Sequence, residues 1–155
     1  MKKRNLIITI VLVLTAALIA VIYLSDRHQA PRGNLHILCE GKETLVDPLS
    51  LPLTEVKGTT VNGKGEEKKI SKEGVSVLDV LSLAGIGSGD FSSVRVVSSD
   101  EYAAELMAEE FSSENFAFLI RDSSDDGTES IRLVVFGDSN SKRQVKDVVR
   151  IEVEK

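Results

Sequence analysis

The sequence predicts an α+β fold: a mixed β-sheet domain with few helices, preceded by one N-terminal transmembrane helix. Three observations carry that expectation. An uncharged apolar run, Leu6 to Leu24, follows a basic tip. Beyond it, short segments of alternating apolar and polar residues are separated by Gly, Pro, Asn and Asp. A single later stretch, Gly74 to Gly87, carries apolar residues at helical spacing. A chain of 155 residues has room for one compact domain and an appendage. We therefore expect a cytoplasmic tip and anchor over 1–25, a linker over 26–34 and a domain over 35–155.

The run Leu6 to Leu24 contains no charge, Pro or Gly. At about 1.5 Å per residue it spans roughly 28 Å, close to the ~30 Å hydrocarbon core of a bilayer. Its Leu, Ile and Val residues each favour insertion by roughly 0.3–0.6 kcal/mol, which outweighs Thr9 and Thr15. Lys2, Lys3 and Arg4 hold the N-terminus on the cytoplasmic side, so the expectation is a single-pass cell-membrane protein with its C-terminal domain extracytoplasmic. The alternative is a cleaved signal peptide. The run exceeds the ~7–15 residues usual for one, and Pro31 follows the small-residue site Gln29-Ala30, which favours a retained signal anchor.

In order, Ser25 to Asn34 reads as a juxtamembrane linker and Leu35 to Glu40 as a first strand with Leu35, Ile37 and Cys39 on one side. Two prolines make 47–52 a loop. Strands over Leu53–Val61 and Glu66–Ser71 flank Asn62-Gly63-Lys64-Gly65, and Asn-Gly is a strong hairpin signal. Gly74 to Gly87 is the helix, with Ser76 as cap, Val77, Leu78, Leu81 and Ala84 on one face, and Gly85 as its stop. A short strand over Val94–Ser98 runs straight into Ser99-Asp100-Glu101-Tyr102 and is expected to continue as strand over Ala103–Leu106, before a helical turn over Ala108–Phe111 and a strand over Phe116–Arg121. Asp122 to Glu129 matches the first half of a calcium loop, but position twelve is Leu133 where a bidentate Glu is needed, so an Asp-Gly turn is expected. Ile131–Val135 and Val145–Val153 read as two strands joined by the polar loop Gly137 to Arg143.

The net charge is −5, and the first five residues carry +3, which leaves −8 on the remainder. That balance argues against nucleic acid as a partner. Cys39 is the only cysteine, so no internal disulfide forms, and in "LHILCEG" it reads as a small apolar strand residue. The two histidines, His28 and His36, precede the core motifs, and no nucleophile-elbow sequence exists.

Three segments, "EGVSVLDVLSLAGI", "VRVVSSDEYAAEL" and "IRLVVFGDSNSKRQVKDVVRIEV", occur in this order. Together they resemble the sulfite-oxidase-type molybdopterin-binding fold in its short exported form, over about Leu35 to Lys155. The resemblance implies that fold. Full enzymes of the family bind molybdenum through a cysteine upstream of the helix, whereas residues 59–65 here contain none, and Glu101 stands where the family has Gly. The implied function is a non-catalytic binding module for a pterin-like or other anionic ligand, or for a membrane redox protein. A molybdopterin without molybdenum is the implied cofactor if one is bound. The alternatives are a small oxidoreductase subunit that retains molybdopterin or another redox cofactor, and a structural interaction domain with a vestigial pocket.

The candidate ligand-binding residues follow. Asp100 and Tyr102 would sit at a strand end, with Arg132 projecting toward the ligand. Ser139, Ser141, Lys142, Arg143 and Lys146 would supply hydroxyls and cations, since charge-assisted hydrogen bonds to an anion are strong. The competing reading is that the three loop cations only solubilise a hairpin and that Arg132 pairs with a nearby acid.

Overall fold

The computed structural model describes residues 34–113, 116–123 and 127–155. The chain divides between Pro31 and Arg32 into two units, and all described residues belong to the second. The expected anchor, Leu6 to Leu24, and Ser124, Asp125 and Asp126 of the calcium-like stretch lie outside the described residues. Among the described residues no helix is long and apolar enough to cross a membrane.

The domain is a mixed-sheet structure with few helices. Strands β1 (Leu35–Cys39), β2 (Lys42–Val46), β5 (Ser93–Ser98), β6 (Ala103–Met107) and β9 (Val148–Glu154) form one sheet in the order β2-β1-β9-β5-β6. The pair β1 and β9 is parallel and the others are antiparallel. A second, antiparallel sheet holds β3 (Thr54–Val61), β4 (Glu67–Ser76), β7 (Ala117–Ser123) and β8 (Glu129–Val135) in the order β3-β4-β7-β8. Alternation decides which face each strand buries: Leu35 and Ile37, Val94 and Val96, Leu119, Leu133, Ile151 and Val153 share one core with α1 (Val77–Leu83).

Several expectations need correction. The strand β2 was not anticipated, because Lys42-Glu43-Thr44-Leu45-Val46 buries only Val46. The helix is two turns long, because Gly74, Val75 and Ser76 complete β4. Ser76 is the N-cap, and its hydroxyl accepts from Leu78 N–H at 3.2 Å. At the other end Ile86 N–H donates to Leu81 O and Gly85 N–H to Ser82 O, the paired bonds of a left-handed stop, with Gly85 at φ +76°. The buried face is Val77, Val80 and Leu81, so Val80 replaces Leu78 there.

The Asn-Gly hairpin closes through residues 62–66 rather than a two-residue turn. The Asn62 side-chain oxygen accepts from the N–H of Lys64 and of Glu66, and the left-handed residue is Gly65. Finally, β8 and β9 do not form a hairpin; they lie in different sheets, and the loop between them crosses from one to the other.

The β3–β4 hairpin pairs with β7 only through Gly74, Val75 and Ser76. Beyond that point it bends over the outer side of β7 and β8. Val56 and Ile70 from the hairpin meet Ile120 and Val134 in a second small core flanked by Phe118 and Phe136. Two glycines permit this approach. A Cβ on Gly58 would penetrate the Phe136 ring, and one on Gly74 would lie 2.7 Å from the Leu119 carbonyl.

Candidate functional site

The loop 137–147 is braced at several points. Arg143 donates to both carboxylate oxygens of Glu110, at 2.7 and 2.9 Å, and to both of Asp138. Its guanidinium lies 5.5 Å from the centroid of the Phe116 ring, and Phe116, Phe111 and Phe91 stack edge to face behind it. The Asp138 hydrogen bond, then Glu110, raises the Arg143 pKa against the effect of burial, so the guanidinium is fixed as a cation. For Glu110, burial pushes upward, but the Met107 N–H and Arg143 outweigh it and leave the carboxyl below its ordinary value.

From the five-stranded sheet, Tyr102 donates its hydroxyl to Lys142 O, and Ser99 N–H donates to Asp147 O at 3.0 Å. Asp100 caps the β5–β6 turn: it accepts from the Ser98 hydroxyl and from Tyr102 N–H, which lower its pKa in that order. Glu101 follows at φ +67°, the left-handed position of a three-residue hairpin that usually takes Gly. Its carboxylate reaches Arg150 at 2.9 Å.

The structure thus brings Asp100, Tyr102, Ser141, Lys142 and Arg143 to one end of the domain, with Ser139 and Lys146 exposed on the same loop. Arg143 is not free to take an anion, because two carboxylates already neutralise it. Lys142 and Lys146 have no ion pair among the described residues.

Arg132 is not part of this group. On β8 the residues Ile131, Leu133 and Val135 face the main core, so Arg132 points with Val134 toward the second one. Its side chain is 20% exposed, its Nη1 lies 3.6 Å from Asp122, and its Nε is buried without a hydrogen-bond partner. The other oxygen of Asp122 accepts from Lys72 at 2.8 Å. Burial opposes ionisation of Asp122, but Lys72, the Ser123 N–H and Arg132 leave its pKa lowered.

Sequence reasoning did not anticipate a cavity of about 270 Å³ lined by Cys39, Thr44, Ile86, Glu40, Asp90 and Lys155, among others. Only the spacing of Cys39 with Leu35 and Ile37 on β1 hinted that its thiol turns inward. Lys155 pairs with Glu40 at 2.7 Å across the rim, which raises its pKa. None of the lining residues comes from β8.

The donor set does not fit a molybdenum centre. Residues 59–65 end β3 and form its hairpin without a thiol, and Cys39 lies on the other sheet. Among the described residues no three of His, Cys, Asp and Glu converge as metal ligands. No protein-family model and no curated protein matches the chain.

Proposed function

We propose that this chain is a membrane-anchored, extracytoplasmic and non-catalytic binding module of the molybdopterin-binding type, which presents loop 137–147 to a pterin-like or other small anionic ligand. The observation that carries the reading is the division of labour on that loop. Arg143 is spent on holding the loop in shape, while Lys142 and Lys146, on the same loop as Ser139 and Ser141, have no ion pair among the described residues. A fixed loop loses little conformational freedom when it takes an anion, which favours binding. Leu6 to Leu24 supplies the anchor, and a membrane redox protein is the macromolecular partner this placement suits.

The test is calorimetric titration of the detergent-solubilised full chain with a pterin phosphate, with pyrophosphate as the plain anion. A Lys142→Glu/Lys146→Glu pair is expected to weaken binding tenfold or more; unchanged binding, or none in the unaltered protein, overturns the reading. A second reading, an oxidoreductase subunit that retains a redox cofactor, draws on Cys39 at the cavity wall. A visible chromophore or stoichiometric molybdenum in the purified protein, lost in Cys39→Ser, would replace the first reading.

A further inference from the structure

The chain treats the two edges of its four-stranded sheet differently. Along β8 the edge is capped at Leu133 and Val135. The Gln144 side chain donates to Val135 O at 2.7 Å and accepts from Val135 N–H at 3.4 Å, while Val145 O accepts from Leu133 N–H at 2.8 Å. A side-chain amide and one backbone carbonyl thus stand in for a missing strand.

Along β3 nothing among the described residues pairs with the outer edge, although the strand runs for eight residues, Thr54–Val61. An unpaired edge of that length is a template for another strand. Its exposed residues carry a self-complementary order. Glu55 and Lys57 are 57% and 66% exposed, flank Val56 and pair with each other at 2.8 Å within the chain, a contact that pairing across two chains would exchange. In an antiparallel pairing that sets Val56 opposite the partner's Val56, Glu55 falls opposite the partner's Lys57 and Lys57 opposite the partner's Glu55. Directly opposed residues share a face with Cβ atoms about 5 Å apart, close enough for both ion pairs. Thr54 then faces the partner's Gly58, so no bulky pair crowds the junction. A groove of about 240 Å³ is lined by Thr54, Glu55, Val56 and Lys57 of this strand, with Phe118.

We propose that β3 pairs antiparallel with β3 of a second copy of this chain, which joins two four-stranded sheets into one across a two-fold axis at Val56. An isologous contact of this kind closes on itself, because each β3 edge is used up by its partner.

Charge reversal tests it. Native mass spectrometry of the full chain released from detergent separates the 16.9 kDa protomer from the dimer. Glu55→Lys places two Lys–Lys pairs across the axis and Lys57→Glu two Glu–Glu pairs, so each variant alone is expected to dimerise roughly tenfold or more weakly. A one-to-one mixture of the two restores both attractive pairs and is expected to give a heterodimer at the unaltered level. Thermal melts check the fold, since an exposed intrachain pair contributes only about 0–1 kcal/mol. A monomeric unaltered chain, single variants that remain dimeric, or a mixture that stays monomeric would each overturn the proposal.

Discussion

On the outer face of the five-stranded sheet, charges are interleaved: Glu101 with Arg150, Arg150 with Glu152, and Glu152 with Arg95, while His36 hydrogen-bonds Glu43. On the outer face of the four-stranded sheet, Ile120 and Val134 lie under the bent β3–β4 hairpin, which covers them with its own Val56 and Ile70. The difference originates in the strands. Arg150-Ile151-Glu152-Val153 alternates strictly and leaves one side for water. Leu133-Val134-Val135 is apolar on both sides, and all three residues are fully buried, so this sheet requires cover on each face. The hairpin supplies the second cover from within the chain.

The strongest way to break the comparison is to truncate one residue on each side of it. Ile151 in the main core and Ile120 in the second are both essentially inaccessible. Each change to Ala is expected to cost about 2–5 kcal/mol in chemical denaturation. A loss below ~1 kcal/mol for Ile120→Ala would reduce the hairpin to a loose flap. Next in size, Gly74→Val pushes a side chain against the Leu119 carbonyl where the hairpin bends, and about 1–3 kcal/mol should be lost.

Acid titration sharpens the picture at the braced loop. The Glu110 carboxyl is held below its ordinary value of 4.5, so its contribution is present above that pH and disappears as the pH falls through the lowered folded value. Glu110→Gln should therefore flatten the acid side of the stability curve and lower stability at neutral pH, as read by melts from pH 7 to 3. A smaller effect of opposite sign is expected at Glu101. Gly there relieves a left-handed backbone worth roughly 1 kcal/mol, less the exposed Arg150 pair, so melting should stay level or rise. Smallest of all, Arg95→Ala removes one rung of the charged face and should shift stability by less than about 1 kcal/mol.

How much of this was legible follows the same divide. Strands bounded by Pro, Gly or Asn and built on alternation, such as β1, β3, β5 and β7, could be placed from residues alone. Ser76 and Gly85 mark the cap and stop of α1 in the sequence, but its span is not legible there, because Gly74 and Val75 carry the same apolar spacing whether they enter a helix or finish a strand. Which sheet β8 and β9 join is a matter of long-range pairing that no local pattern encodes. The candidate site suffered from the same limit. Asp138 lies near Arg143 in sequence, but Glu110 comes from a distant turn, so the pairing that removes Arg143 from any ligand was invisible. For Arg132 the competing reading, a pair with a nearby acid, matches the Asp122 contact, since Ile131, Leu133 and Val135 take the main-core face and leave Arg132 on the other.

The last described strand, β9, lies between β1 and β5 in the middle of its sheet. During synthesis, the β1–β2 and β5–β6 hairpins must therefore wait as separate pieces until residues 148–154 leave the ribosome and slot between them. Such late, distant pairing slows folding. Nascent chains cut before Val148 should remain protease-sensitive.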